Sequence, residues 1–165
     1  MTSNLHQVSR PDTVWYEDLS PGQVYQGPGR TLTETDLVMF SMVIGDHHEI
    51  HANEEYAKAN GLPDLLFQGT FGIGLTIAMT SDLLRLKNPI VSALGIREWV
   101  FQAPLFVGDT VKSQLEIIDK RVTSDGRRAI LGRRLNLIKQ DDAVAQVGIA
   151  DLMVRLAKPQ AAAGQ

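Results

Sequence analysis

One short segment, GDHHEIHANEEYA (residues 45–57), brings one aspartate and three imidazoles together. It directly follows the almost wholly apolar run LVMFSMVI (residues 37–44), so we expect it to lie against the core. Ionisable groups that leave water cost free energy unless they are paired or change their protonation state. Asp46 and His51, placed on one short loop, can both hydrogen-bond one water or one substrate oxygen, which is the arrangement that acid/base catalysis needs.

Two other interpretations of this segment compete with catalysis. Zinc binding is suggested by His47 and His51, four residues apart, but HEIH (residues 48–51) is one residue shorter than the HExxH spacing that sets two imidazoles on one helix face. We therefore expect no metal site. A hydrated, idle surface loop suits the glutamates better than it suits Asp46 and His51. The residue types alone leave catalysis and an idle loop both open.

The second candidate segment is GTFGIG (residues 69–74), which opens a long apolar stretch. Its order G-x-x-G-x-G differs from the dinucleotide fingerprint G-x-G-x-x-G, and no parallel βαβ pattern surrounds it, so a nucleotide-phosphate loop is not expected. A helix that begins at Gly69 would present free backbone N–H groups and the positive end of its dipole, which can hold a developing oxyanion. Packing is an equally good explanation for Gly72 and Gly74.

Local patterns predict the helices that must position these segments. Thr33, with Asp36 three residues later, predicts a helix N-cap, and that helix is expected to end near Gly45. A short helix is predicted over residues 53–60 from its asparagine cap and acidic first turn. A long helix is predicted over residues 68–87, because its first half is apolar on every side.

Four strands are predicted after the long helix, at residues 91–102, 110–118, 127–138 and 143–156. The turns at 124–126 and 140–142 suit hairpins, so we expect these strands to be antiparallel. One long buried helix and an antiparallel sheet can hide both apolar surfaces if the sheet wraps around the helix. The predicted fold class is therefore α+β, with a sheet curled over the helix of residues 69–86.

Composition limits the functions that this chain can have. Its 165 residues predict a single domain over 1–165, with a core of 14–156 and flexible ends. A net charge of −3 and a pI near 5.8 argue against a nucleic-acid partner. The lack of cysteine fits a reducing cytoplasm, and the longest apolar stretch, residues 71–79, is shorter than the about 20 residues of a bilayer span. We expect a soluble, cytoplasmic protein with no membrane partner, and a solvated face for the basic residues at 85, 87, 97, 127, 128, 133 and 134.

Together, these motifs resemble the MaoC-like, (R)-specific enoyl-CoA hydratase family of hot-dog proteins. The segment FSMVIGDHHEIH (residues 40–51) is similar to that family's pattern F-(A/S)-x-x-x-G-D-x-N-P-x-H, and Ala57 and Gly69 follow at suitable distances. The segment FQAPLFVGDTV (residues 101–111) is similar to the family's strand entry F-x-x-P-x-x-x-G-D-T-V. The matching residues are Phe40, Ser41, Gly45, Asp46, His51, Phe101, Pro104, Gly108, Asp109 and Thr110.

The resemblance implies a hot-dog fold, usually paired into a dimer. It implies that Asp46 and His51 are a catalytic pair that adds one water across the double bond of a trans-2-enoyl-CoA thioester, or catalyses the reverse dehydration. It also implies that the Gly69 N–H binds the thioester carbonyl. We therefore expect an acyl-CoA substrate, a homodimer, and neither a metal ion nor a redox cofactor.

Two positions depart from the family pattern. The family's Asn-Pro is His48-Glu49 in this chain, and the histidine of its His-Gly pair is Gln68. We expect His48 and Gln68 to contact the substrate, and His48 could meet a carboxylate on a dicarboxylic acyl group. A hot-dog thioesterase and an acyl-CoA-binding domain without catalysis are the alternative functions.

Overall fold

The computed structural model describes residues 5–7 and 13–158 of the chain. The helices in that part are α1 (Glu34–Ile44), α2 (Glu54–Ala59) and α3 (Gly69–Leu83), with 3-10 turns at Tyr16–Asp18 and Glu49–His51. The strands are β1 (Leu5–Gln7), β2 (Thr13–Val14), β3 (Val24–Thr31), β4 (Arg85–Leu86), β5 (Ile90–Phe101), β6 (Thr110–Val122), β7 (Arg128–Lys139) and β8 (Val144–Arg155).

The main sheet has the strand order β1-β3-β6-β7-β8-β5. Hairpins join β6 to β7 and β7 to β8, and every pairing in this sheet is antiparallel except that of β1 with β3. The predicted antiparallel strands are therefore confirmed. Residues 5–7, within the N-terminal end that was predicted to be flexible, pair with β3, whereas residues 1–4, 8–12 and 159–165 lie outside the described part of the chain. The flexibility of the two ends stays a prediction.

The core lies between α3 and one face of the main sheet. Alternate residues of β6 are buried there, and α3 packs against β3, β6 and β7. The buried residues of α3 are Phe71, Gly72, Leu75, Thr76, Thr80 and Leu83. This arrangement confirms the α+β fold class, with the sheet curled over the long helix. No helix in the described segments has both the length and the apolar character that a membrane span requires.

Local signals explain both ends of α1 and the start of α2, and a tertiary contact explains the end of α3. Thr33 and Asp36 form a reciprocal capping box at the start of α1, and Gly45 ends it with φ of 74°. α2 has the predicted asparagine cap. α3 begins at Gly69 but ends at Leu83, earlier than predicted, because the next residues pair as β4 with β2.

One basic residue does not lie on the expected solvated face. Arg133 is only 3% exposed, and its Nε donates a 3.1 Å hydrogen bond to the carbonyl of Ala150. Burial lowers the pKa of Arg133 to about 10. The residue belongs to the alternating inward positions of β7, between Leu131 and Leu135, so the strand periodicity outweighs the polarity of its side chain.

Candidate active site

Asp46 and His51 lie on the loop that joins α1 to α2, and local hydrogen bonds shape this loop. After the left-handed turn at Gly45, the backbone N–H of His48 donates to Oδ1 of Asp46 at 3.3 Å. Nδ1 of His48 in turn accepts from the backbone N–H of Ile50 at 3.2 Å, at the start of the 3-10 turn Glu49–His51. This 3-10 turn brings His51 back toward Asp46.

The two side chains of the predicted catalytic pair converge. Nε2 of His51 lies 3.5 Å from Oδ2 of Asp46, and the two side chains are 11% and 43% exposed. Nδ1 of His51 lies 2.5 Å from the carbonyl oxygen of Leu66. Because a carbonyl only accepts, Nδ1 must carry the proton, and Nε2 of the neutral ring is left as an acceptor. Two acceptors then face one space, where a single water can donate one proton to each.

Gln68 connects this loop to the start of the central helix. Its side chain is 4% exposed, and its Nε2 donates to Oγ of Ser41 at 2.8 Å and to the carbonyl of Asp46 at 3.4 Å. Its Oε1 is buried and has no hydrogen-bond partner among the described residues. Gly69 follows as the first residue of α3, so its backbone N–H has no intrahelical acceptor.

An apolar cavity of about 290 Å³ adjoins the same segment. It is lined by Leu66, Phe67, Gly69, Phe101, Gln102, Ala103, Pro104, Leu105 and Gln146. The carbonyl of Leu66 also orients His51, so the imidazole and the cavity share one segment of the chain. The residues after β5 belong to the segment FQAPLFVGDTV (residues 101–111), so this segment and Gly69 line one cavity. Asp46 and His51 are not among the lining residues, and they are connected to the cavity through their contacts with Gln68 and Leu66.

Asp109, in the segment FQAPLFVGDTV (residues 101–111), supports the loop between β5 and β6. Its carboxylate accepts hydrogen bonds from the Phe106 N–H at 2.9 Å and from Nε2 of Gln140 at 2.9 Å, and it lies 2.9 Å from Nζ of Lys139. Burial alone would raise the pKa of Asp109, but these contacts outweigh it and lower the pKa. Asp109 therefore holds the loop between β5 and β6 as a structural anion.

The remaining histidines of the loop are exposed. The ring of His48 lies 6.4 Å from the ring of His51 and 5.8 Å from the ring of Tyr56, measured between centroids. His47 is exposed. Within residues 13–158, no three His, Cys, Asp or Glu side chains converge as a metal site would require.

Comparison with known sequences places the chain in a family. Residues 18–135 match the sequence model of the MaoC-like domain. The chain belongs to the MaoC-like domain family. It is 29% identical over 119 residues to protein MaoC of Klebsiella aerogenes, and the match covers 72% of this chain and 34% of that protein. This MaoC-like chain therefore spans about a third of the length of that relative.

Two further similarities refine this placement. The chain is 27% identical over 104 residues to the (R)-specific enoyl-CoA hydratase of Rhodospirillum rubrum, covering 62% of this chain and 69% of that enzyme. A Mycobacterium tuberculosis protein described as a double hotdog fold superimposes with a TM-score of 0.80 at 23% identity, covering 93% of this chain and 48% of that one. The family resemblance expected from the sequence is confirmed, and so is the hot-dog fold.

In this MaoC-like domain, several contacts near the candidate pair and the start of α3 could not be predicted from the sequence. The backbone carbonyl of Leu66 carries no sequence signal, because any residue type supplies a carbonyl. Gln146 reaches the start of α3 from β8, and Trp99 of β5 donates a hydrogen bond to it. Only the unusual glycines of α3 indicated that something approaches closely there.

Proposed function

We propose that this protein is a hydratase/dehydratase that adds water to a trans-2-enoyl-CoA thioester, or removes it from a 3-hydroxyacyl-CoA thioester. The observation that supports this proposal is the convergence of Nε2 of His51 and Oδ2 of Asp46 at 3.5 Å, beside the apolar cavity that Gly69 lines. The relative from Rhodospirillum rubrum is named as an enoyl-CoA hydratase, which agrees with this chemistry.

In the proposed reaction, the oxygen of one water forms a bond to C3 of the enoyl group. One member of the Asp46–His51 pair takes a proton from that water, and the pair returns a proton to C2, so the net change is the addition of H and OH. Negative charge develops on the thioester oxygen during the attack. The Gly69 N–H would hydrogen-bond this oxygen, and a donor in that role typically contributes roughly 10²–10³ in rate. Water addition transfers no electrons between molecules, so the proposal includes no redox cofactor. The proposed pair supplies both acid and base and the Gly69 N–H supplies the oxyanion donor, so the proposal assigns no step to a metal ion.

Gln68 and His48 are proposed to contact the substrate. Oε1 of Gln68 is a buried acceptor without a partner among the described residues, and it belongs to the residue just before Gly69. His48 is exposed beside His51, and because its Nδ1 accepts from the Ile50 N–H, its Nε2 carries the ring proton and can donate it to a second carboxylate on the acyl group. A His48→Asn variant should lose preference for dicarboxylic over plain acyl thioesters. An unchanged ratio of kcat/KM for the two substrate classes would contradict the role of His48.

A homodimer is the proposed assembly. β5 is an edge strand of the main sheet, and it contains a series of exposed apolar residues: Ile90, Val91, Leu94, Ile96, Val100 and Phe101. A long apolar edge is a template for pairing with another strand, and a second copy would cover it. Sedimentation should find a dimer, and Ile96→Lys should shift it to monomer while Trp15→Lys, at another exposed apolar site, should not. A wild-type monomer, or a dimeric Ile96→Lys variant, would contradict the dimer.

The decisive experiment mixes the protein with crotonyl-CoA and follows both the conjugated enoyl absorbance and the appearance of free thiol. Hydration removes the absorbance without releasing thiol, which is the expected result. Release of thiol would instead identify a thioesterase. If neither signal changes while crotonyl-CoA binds, the protein is an acyl-CoA-binding domain without catalysis. A cytoplasmic location stays a prediction, which fractionation of the cells that make the protein would check.

A further inference from the structure

A buried amide links the sheet to the first turn of α3. Gln146 of β8 is 2% exposed, and its Nε2 donates a 3.1 Å hydrogen bond to the carbonyl of Gly69. Its Oε1 accepts a 3.0 Å hydrogen bond from Nε1 of Trp99 on β5. Because an indole N–H only donates and a carbonyl only accepts, both neighbours specify the same orientation of the amide. The side chain of Gln146 is therefore held at both ends.

Two glycines make room for this link. A Cβ added at Gly72 would lie 2.1 Å from Nε2 of Gln146, and a Cβ added at Gly148 would lie 2.1 Å from Cε3 of Trp99. Neither distance is possible for real atoms, so any other residue at either position would displace the amide or the indole. Gly72 of α3, Gln146 and Gly148 of β8, and Trp99 of β5 thus pack together next to the first turn of α3.

We propose that Gln146, oriented by Trp99, is a positioning residue that fixes the first turn of α3 and with it the direction of the Gly69 N–H; its importance for catalysis rests on the proposed hydratase function. The carbonyl of Gly69 and its N–H belong to adjacent peptide groups of one helical turn. A hydrogen bond from a buried side chain to the carbonyl restrains the rotation of both groups. An oxyanion donor is effective only when it already points to the place where charge develops, so a small rotation of this turn lowers kcat.

The variant Gln146→Glu can keep one of the two hydrogen bonds of this amide while removing the other. A carboxylate still accepts from Trp99 but cannot donate to Gly69, whereas a protonated carboxyl group can do both. Burial raises the pKa of a carboxyl group, so the protonated form becomes accessible in mildly acidic solution. We expect kcat on crotonyl-CoA to fall about tenfold or more in alkaline solution with KM within about twofold, because the interaction acts in the transition state. The ratio of variant to wild-type kcat should then rise as the pH is lowered.

Gln114→Leu is the matched control, because Gln114 also bonds through both ends of its amide, to Gln26 and Asn136, on the opposite face of the sheet. It should leave kcat and its pH dependence unchanged. A Gln146→Glu variant with wild-type kcat, or a ratio that does not change with pH, overturns the proposal. If Gln146→Glu does not fold, Trp99→Phe removes the N–H that orients the amide, and a kcat equal to that of the wild type overturns the proposal in the same way.

Backbone dynamics provide a measurement that does not depend on the reaction. The ¹⁵N order parameters of Gly69 and Thr70 should fall in Gln146→Glu in alkaline solution and recover in acid, while they stay at the wild-type values in Gln114→Leu. If the wild-type protein does not hydrate crotonyl-CoA, the proposed function fails, and these order parameters still decide whether Gln146 fixes the turn. Unchanged order parameters overturn the positioning role whatever the activity.

Discussion

His51 places Nε2 3.5 Å from Oδ2 of Asp46 while its Nδ1–H is held by the carbonyl of Leu66. The Leu66 contact fixes both the orientation of the ring and the tautomer of the neutral imidazole. Since the carboxylate and the free ring nitrogen are both acceptors, a water between them has its two protons bound and its lone pairs directed away from the pair. In the proposed hydration, a water held in this way would attack C3 of an enoyl group that enters from the cavity lined by Gly69.

Removing either member of this pair should abolish hydration without unfolding the protein. Asp46→Asn keeps the shape of the side chain but removes the base, and His51→Ala removes the imidazole; each should lower kcat on crotonyl-CoA by roughly 10²–10⁴. Initial rates and circular dichroism together check this expectation. His47→Gln, at an exposed position on the same loop, is the control and should keep full activity. Near-wild-type activity in Asp46→Asn or His51→Ala would refute the assignment of the pair.

The glycines of α3 should respond in opposite ways to alanine. A Cβ at Gly74 meets nothing within 4 Å, so Gly74→Ala should raise the free energy of unfolding by up to about 1 kcal/mol through helix propensity. A Cβ at Gly72 would overlap Gln146, so Gly72→Ala should lower it by about 1–3 kcal/mol. Urea unfolding of Gly72→Ala and Gly74→Ala at one protein concentration tests both expectations. Equal shifts of the same sign would show that close approach does not explain Gly72.

Asp109 should make the fold sensitive to acid. Burial opposes its charge, but hydrogen bonds from Gln140, Lys139 and the Phe106 N–H lower its pKa below the ordinary value of 3.8. The unfolded chain therefore binds more protons than the folded protein around that pH, so the stabilisation is present above it and is lost as the pH falls through it. Asp109→Asn should cost roughly 1–3 kcal/mol at neutral pH, because it disrupts partly buried hydrogen bonds.

The loss of unfolding free energy in Asp109→Asn should become smaller below about pH 4, because the wild-type carboxylate then becomes protonated and loses its charge. Urea unfolding at neutral and acidic pH measures both values. Asp82→Asn is the control, because the side chain of Asp82 is 80% exposed and should matter little at either pH. If the loss of unfolding free energy in Asp109→Asn stays constant as the pH falls, the charge of Asp109 does not contribute to the stability of the fold.

Local signals in the sequence predict the parts of this fold that depend on neighbouring residues. Thr33 and Asp36 form the predicted cap because both partners lie in one helical turn, and the inward residues of β6 follow from a period of two. The loop containing Asp46 and His51 could likewise be found from residue types and spacing. Their convergence could not, because it depends on a carbonyl 15 residues beyond His51.

Contacts between distant segments account for what the sequence did not predict. α3 ends at Leu83, although its pattern continues, because Arg85–Leu86 pairs with Thr13–Val14. The link from Trp99 through Gln146 to Gly69 joins two strands and a helix, so no local pattern encodes it. The periodicity of β7 does predict that residue 133 points inward, but the charge of an arginine favours the opposite expectation.

Arg133 is the buried charge that should cost this fold stability. Its guanidinium makes one hydrogen bond within the described residues, to the carbonyl of Ala150, and no ion pair. The negative charge of Asp151 favours the guanidinium, but burial outweighs it, as the lowered pKa of Arg133 indicates. A buried charge without an ion pair loses more hydration free energy than one hydrogen bond returns. Arg133→Met fills a similar volume without the charge, and it should raise the free energy of unfolding by about 1–3 kcal/mol at neutral pH.

The pH dependence of Arg133 supplies a second check on the same prediction. Burial lowers the pKa of Arg133 from its ordinary value to about 10 in the folded protein, so between these two values the folded protein binds fewer protons than the unfolded chain. Wild-type stability should therefore rise with pH in that window, and the advantage of Arg133→Met should shrink above pH 10. Arg134→Met is the control, since Arg134 is 45% exposed and pairs with Glu116 at the surface. If Arg133→Met destabilises the protein more than Arg134→Met does, the guanidinium contributes to folding and the prediction is wrong.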